Sequence, residues 1–334
     1  HETPTPAESN YLPHPAVVVH EVLTHTDPPL EDAIEVRNSS RQPVDLGGWF
    51  LSNQADALRR CRIPANTIVP AEGFTVLYEI LFNPHPAGTN NFTLNSAHGD
   101  TVYLSEADAE GRLTGYRAVA RVGAAANGVS FGRVETSLGV DWAPLSARTF
   151  GVDTPATLPQ FRTGRGRTNA PPLVGPIVIS EIMYHPVAGP ANALTETPDD
   201  EYLELHNATA APVPLYDPAH AANTWRIAGG IDYEFPMGVT LATGETVLVV
   251  PFDPVADTET ANAFRLRYGL SDTTRLWGPY DGQLSNRGEA LELLRPDAPQ
   301  EPPHPDAGYV PQLRADYVLY GSRAPWPIEA DGSG

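Results

Sequence analysis

Two pairs of glutamates have the residue types needed for acid–base chemistry. Glu21 and Glu35 lie in successive apolar runs, and Glu181 and Glu204 repeat this arrangement further along the chain. Two carboxyl groups act as general acid and base when they lie close together on either side of a reacting bond. Glutamates in strands also cap backbone amides or pair with arginine at a sheet edge. Because both copies keep both glutamates, we favour the structural role.

The densest set of candidate metal ligands lies in the second half of the chain. His185 and His206 fall on separate predicted strands, without the short ligand spacing of a zinc site. Asp199, Asp200 and Glu201 are consecutive and offer the hard oxygen ligands that calcium prefers. Their loop lacks the Asp-x-Asp-x-Asp-Gly spacing of a dedicated calcium loop, so a solvated acidic loop is the competing interpretation. We expect no other cofactor.

Other catalytic signatures are missing from the sequence. It contains no Gly-x-Ser-x-Gly elbow, no P-loop and no His-Glu-x-x-His motif. No pattern places a nucleophile beside a base. We therefore predict no catalytic residues and a protein that is not an enzyme.

Aromatic residues supply the remaining candidates for a binding site. Trp277 and Tyr280 have no counterpart in the first half of the chain, so they are the candidates for contact with a ligand or partner. The other tryptophans recur in both halves, which favours core or corner packing. They pair as Trp49 with Trp225 and Trp142 with Trp326.

These residues belong to a pattern that occurs twice. The run 17–23 (VVVHEVL) is matched by 177–183 (IVISEIM), and 33–38 (AIEVRN) is matched by 202–207 (YLELHN). Further matched blocks follow in the same order, and the period greatly exceeds the 20 to 50 residues of solenoid repeats. The pattern therefore indicates a duplicated domain.

The matched blocks resemble the lamin tail domain family. They comprise the opening strand with its glutamate, the E-Φ-x-E-Φ-x-N strand, the VDLGGW turn at 44–49, the PAEGF hairpin at 70–74 and a late hairpin with Leu, Asn or Ser, and Gly. The resemblance implies an immunoglobulin-like β-sandwich of the kind found in bacterial secreted and cell-surface proteins. The second copy departs from the pattern at Pro214 and at an insertion before Trp225, where we expect a longer turn.

Short strand patterns separated by turn signals predict an all-β chain with two such sandwiches in tandem. Residues 1–15 contain four prolines and predict an extended arm. The sandwiches are expected over 16–150 and 176–334. The Pro-, Gly- and Arg-rich segment 151–175 is expected to be an interdomain linker.

Two stretches favour a helix within this β-rich pattern. The first is 258–268, capped by Thr258 or Thr260 and stopped by Gly269. The second is 53–58.

The charge balance restricts the class of partner. The net charge is -20, and it divides into -5 over residues 1–167 and -15 over 168–334. All positive charge comes from arginine. Such a field repels a phosphate backbone, so we expect no nucleic-acid partner. No apolar run is long enough for membrane insertion.

The single cysteine, Cys61, excludes an intramolecular disulfide framework and is expected to be a half-buried strand residue.

Two functions remain open at this point. The resemblance implies a non-catalytic extracellular module for attachment or adhesion, and the unpaired arm suggests a subunit that self-associates into surface structures or filaments. In the alternative, the pair of sandwiches binds a ligand or polysaccharide for a larger secreted enzyme. Trp277 would then contact the ligand.

Overall fold

A computed structural model of the chain describes residues 16–84, 91–136, 138–186, 198–302 and 306–326. The predicted arm, 1–15, lies outside the described residues. The chain divides into two compact units, His1–Leu173 and Val174–Gly334. Strands dominate both units, as the alternating patterns predict.

The first unit contains eleven strands and two short helices among its described residues. They are β1 Val17–Leu23, β2 Ala33–Asn38, β3 Val44–Asp45, β4 Phe50–Ser52, β5 Cys61–Arg62, β6 Ile68–Val69, β7 Phe74–Tyr78, α1 Glu79–Phe82, β8 Asp100–Ala107, β9 Leu113–Val122, β10 Ser130–Thr136, β11 Gly139–Pro144 and α2 Leu158–Phe161.

The first unit is a sandwich of two antiparallel sheets. One sheet has the order β11-β10-β1-β2-β7 and the other β5-β4-β8-β9, while β3 and β6 form a separate pair. Val22 and Phe131 from the first sheet enter one apolar core with Leu51 and Leu104 from the second. Cys61 lies in a strand, β5, as predicted, but at 9% exposed it is buried instead of half-buried.

The second unit contains the remaining strands, one α-helix and a short 3-10 helix at Pro198–Asp200. They are β12 Ile177–Met183, β13 Tyr202–Asn207, β14 Val213–Pro214, β15 Tyr216–Asp217, β16 His220–Thr224, β17 Arg226–Gly229, β18 Ile231–Glu234, β19 Thr240–Leu241, β20 Thr246–Val249, α3 Thr258–Tyr268, β21 Arg275–Trp277, β22 Asp281–Gly282, β23 Ala290–Pro296 and β24 Gln312–Leu319.

The second unit repeats the two-sheet plan. Its sheets have the orders β12-β13-β20-β21 and β22-β18-β17-β23-β24, and side chains of both meet in one core. The insertion before Trp225 forms the additional hairpin of β15 and β16, which accounts for the longer turn expected there. The all-β fold class predicted from the sequence is therefore observed.

One of the two predicted helices forms. Helix α3 begins and ends at the predicted residues, and Gly269 stops it in the left-handed conformation at φ +61°. Its cap is Asp257 rather than Thr258 or Thr260, because the Asp257 carboxylate accepts the Thr260 N–H. The stretch 53–58 forms turns instead of a helix; the Ser52 hydroxyl there donates to the carbonyls of Gln54 and Ala57.

Candidate functional site

The glutamate pairs occupy the same register in both units. Glu21 lies opposite Glu35 across β1 and β2, and Glu181 lies opposite Glu204 across β12 and β13. Each pair follows a one-residue register shift, at His20 in the first unit and at Ser180 in the second. The duplication read from the sequence therefore extends to strand register and to the β-bulge.

In the first unit the pair is fully buried. Glu21 accepts the backbone N–H of Thr149 at 3.0 Å and the Ser130 hydroxyl at 2.5 Å, and it also accepts the Thr149 hydroxyl. Glu35 bonds to Nδ1 of His20 at 2.7 Å and accepts the backbone N–H of Arg167 at 3.3 Å. Both side chains accept backbone amides, which confirms the structural role favoured from the sequence. Neither has surface through which it could reach a substrate.

A segment predicted to be a linker provides much of this burial. Residues 146–169, here the cover segment, belong to the first unit, whose boundary falls after Leu173. Arg162 forms a bidentate ion pair with Glu31, with both N–O distances 2.7 Å. Tyr78 places its hydroxyl 2.8 Å from the carbonyl oxygen of Phe161, whose ring packs against Tyr78. Instead of running free between domains, residues 151–169 therefore pack on the sheet.

Burial determines the protonation of these groups. Loss of hydration raises the pKa of Glu35 to about 9, and the nearby charge of Glu21 acts in the same direction. The pKa of Glu21 is also raised by burial. Burial lowers the pKa of His20 to about 4, with Arg37 and Arg133 adding to the effect. We therefore assign a neutral pair at pH 7, in which the Glu35 carboxylic acid donates to Nδ1 of His20.

In the second unit Glu181 lies at the surface and Glu204 is half-buried. Ser180 and Glu181 are exposed, whereas every residue of β1 except Val18 is buried. Glu181 accepts the Tyr202 hydroxyl at 2.6 Å, and Glu204 accepts the Ser180 hydroxyl at 2.8 Å. These donors are hydroxyls instead of the amides or arginines expected from the sequence.

The pair lies beside an open strand edge. In the first unit, β10 pairs with β1 at Glu21, Val22 and Leu23. In the second unit, no strand of the described residues pairs with the other side of β12 at the equivalent residues 181–183. The N-terminal part of β12 is covered, since the Ile179 N–H donates to the Asp316 carboxylate at 2.8 Å. The open edge is therefore the three residues Glu181, Ile182 and Met183.

Part of the first unit matches a known family. Residues 13–124 match the family described as Lamin Tail Domain. This stretch is similar to a lamin tail domain. No curated protein matches the chain. The family is one of immunoglobulin-like interaction domains that are not catalytic, and the sandwich described above has that form.

The lamin tail match also separates the common fold from its additions. It ends before β10, so β10, β11 and the cover segment lie outside it. The described strands of the second unit correspond to the matched part, from β1 to β9. Among the described residues of the second unit, no strand corresponds to β10 or β11.

The predicted calcium ligands point in different directions. Glu201 is buried and accepts the Leu284 N–H at 3.0 Å and the Tyr280 hydroxyl at 3.1 Å. Asp200 forms an ion pair with Arg267 at 3.0 Å, and Asp199 lies at the surface. Within the described ranges, no group of three or more His, Cys, Asp or Glu side chains could hold a metal ion. The loop thus anchors the fold through Glu201.

The predicted contact aromatics face the protein interior. Tyr280 is 4% exposed and belongs to the core of the second unit, so it is not available as a surface contact. Trp277 is half-buried, packs on the same core and lies 5.0 Å from the Arg275 guanidinium. Their position in β21 and in the turn after it explains why they have no counterpart in the first unit.

Sequence reasoning missed Thr149 and Arg167 because both lie in or beside a segment rich in proline and glycine. A usable signal was present in the Thr157-x-x-Gln160 spacing, which is typical of a helix N-terminus. In the structure, Thr157 caps α2 by accepting the Gln160 N–H.

In the described part of the chain, no helix has the length and apolarity needed to cross a membrane.

Proposed function

We propose that this protein is an extracellular, non-catalytic interaction module that self-associates when β12 of one copy takes up an extended segment of another. The observation that carries the proposal is the open edge at 181–183. An unpaired strand edge presents backbone N–H and C=O groups that a further strand can satisfy. The resemblance to bacterial lamin tail domains supports the proposed extracellular placement.

The shape of β12 permits such pairing. β-Bulges and inward charges often protect natural sheet edges from addition of a strand. Here the bulge at Ser180 has an identical counterpart at His20, and β1 nevertheless pairs with β10 directly after it. The bulge at Ser180 therefore leaves the edge competent to bind a strand.

The proposed occupant is the N-terminal arm of a second copy. The arm has prolines at 4, 6, 13 and 15, which leaves residues 7–12 as a proline-free stretch of six. Proline lacks the N–H that a ladder needs, so this stretch is the part of the arm suited to pairing. Contact between the acidic second unit and the less acidic first unit of another copy has less repulsion than contact between two second units. This favours head-to-tail growth into an open filament.

Light scattering over a range of protein concentration tests this function. We expect the wild type to grow into larger species, and removal of residues 1–15 or the substitution Ile182→Lys to prevent growth. Val255→Lys is the matched control, because it adds the same charge at an apolar residue of the second unit that is 85% exposed. Unfolding midpoints verify that each variant is folded.

Hydrogen exchange provides a test that needs no variant. Amides of residues 181–183 in the wild type should gain protection as concentration rises. A wild type that remains monomeric at every concentration, or assembly unaffected by loss of the arm, would refute the proposed function. Recovery of the protein from the outer surface of its producing cells tests the extracellular placement.

A further inference from the structure

The four-stranded sheet of the first unit, β5-β4-β8-β9, carries arginines on its outer face. Alternate residues of its strands enter the apolar core, so the residues between them face outwards. Arg62 of β5 and Arg117 and Arg121 of β9 are outward residues, and the other outward residues of these strands are uncharged. Arg62 and Arg121 are exposed and form no ion pair with any described residue. These three residues are here the arginine face.

The sheet β22-β18-β17-β23-β24 is the counterpart of this sheet in the second unit, and two tryptophans fix the equivalence. The Ile63 N–H donates to the Trp49 carbonyl at 2.8 Å, and the Phe235 N–H donates to the Trp225 carbonyl at 3.0 Å. β5 ends directly before Ile63, and β18 ends directly before Phe235. The last residues of β5 and β18 are therefore equivalent.

The duplicated strand carries opposite charge in the two units. Arg62 ends β5 and corresponds to Glu234, which ends β18. Two residues earlier, Arg60 corresponds to Asp232. Two cations of the first unit are thus replaced by two anions at the same positions of the second, so the duplicated sheets are complementary in charge.

A third anion enlarges the negative surface of the second unit. Asp232 lies directly opposite Asp281 across β18 and β22, and like charges in that position destabilise a strand pair. Asp232, Glu234 and Asp281 are all exposed, and neither aspartate has an ion pair among the described residues. Arg226, opposite Glu234, is the one cation at these paired positions, so the surface stays negative. Asp232, Glu234 and Asp281 are here the acidic face.

We infer that the arginine face of one copy binds the acidic face of the next. This contact rests on the self-association in the proposed function and adds a second surface to it. Cations of a partner placed beside Asp232 and Asp281 relieve the repulsion between the two aspartates. Two arginine faces repel each other, as do two acidic faces, so the contact joins unlike units. A contact between unlike surfaces leaves one of each at the ends, which permits growth into a row of copies.

Charge reversal on each face tests this contact in sedimentation of the full chain. The variant Arg62→Glu/Arg121→Glu and the variant Asp232→Arg/Asp281→Arg should each self-associate at least about tenfold more weakly than the wild type, because attraction becomes repulsion. An equimolar mixture of the two variants should regain the lost association, since every face then meets one of opposite charge. Recovery in the mixture also demonstrates that both variants are folded.

The matched control is Arg41→Glu/Arg165→Glu. It changes the charge of the first unit by the same amount at two exposed arginines that lie outside the four-stranded sheet, and it should associate like the wild type. Added salt should weaken the wild-type association, because contacts between exposed charges are screened. Association that does not respond to salt would contradict the contact.

The outcomes separate this contact from the edge contact of the proposed function. If the wild type associates and both charge-reversed variants associate equally well, or if their mixture stays as weak as its components, the contact between faces is refuted. If the variants lose association while removal of residues 1–15 and Ile182→Lys leave it unchanged, the contact between faces stands and the edge contact is refuted. If the wild type is monomeric at every concentration, both are refuted.

Discussion

The buried carboxyl group of Glu35 makes the stability of the first unit depend on pH in an unusual direction. Because burial raises its pKa to about 9, the folded state keeps a proton that the unfolded chain releases near the ordinary glutamate pKa of 4.5. Stability from this proton is fully present below pH 4.5 and is lost as the pH rises towards 9. His20 acts in the opposite direction, since its pKa falls from 6.5 to about 4 and its contribution is lost as the pH falls through that range. Above pH 6.5 the opposing effect of His20 is therefore absent.

The substitution Glu35→Gln isolates this effect. Glutamine is neutral at every pH and can donate to His20 and accept from Arg167 as the protonated acid does. Across this window, each pH unit lowers the free energy of unfolding by about 1.4 kcal/mol for each extra proton that the folded state binds. Between pH 6.5 and 8.5 the wild type should therefore lose on the order of 2–3 kcal/mol relative to Glu35→Gln. Asp32, whose pKa burial raises to about 8, acts in the same direction but is common to both proteins.

Cys61 provides a readout confined to the first unit. It is the single cysteine of the chain, it is buried in β5, and its thiol donates to the Leu81 carbonyl. Brief pulses of a thiol reagent after equilibration in urea measure the unfolded fraction at pH 6.5, 7.5 and 8.5. Each sample is normalised to fully unfolded protein at the same pH. Glu204→Gln, at the half-buried counterpart in the second unit, is the matched control and should follow the wild type. Parallel pH profiles for the wild type and Glu35→Gln would refute the assignment of a protonated Glu35.

Two further predictions concern backbone positions that the fold requires. Gly166 has φ +83°, and a Cβ there would lie 2.3 Å from Glu35 Oε2, so Gly166→Ala should destabilise the first unit by about 3 kcal/mol in urea unfolding. Gly111 is the control, because its φ is +79° but a Cβ there would lie 4.0 Å from the nearest heavy atom. Gly111→Ala should therefore lower the free energy of unfolding by only about 1 kcal/mol. Equal losses for the two variants would contradict the crowding at Gly166. Asp257→Ala should cost α3 about 1 kcal/mol, because it removes the cap on the Thr260 N–H. Calorimetry that shows no loss in the second unit would exclude that cap as a source of stability.

The common fold was predictable from the sequence because its signals are local. Alternating apolar residues and turn residues define β1 and β12, and each glutamate holds the same position within its matched strand, in keeping with the shared register of β2 and β13. Helix α3 was predicted because its stop signal, Gly269, lies directly at its end. Matching the two halves by sequence was less reliable near their ends. Trp142 lies in β11, whereas Trp326 follows β24 and lies outside the described strands, so the two tryptophans do not share an element.

What surrounds the duplicated glutamates was decided only by the tertiary structure. Glu21 and Glu181 lie in nearly the same local sequence, yet the first is buried and the second exposed. The donor Thr149 is 128 residues from Glu21, directly before a segment whose composition is typical of a linker. Local sequence thus determined the strands, their register and the duplication. Burial, the pKa of Glu35 and the open edge depend on which distant segment packs over each strand, and no local pattern carries that information.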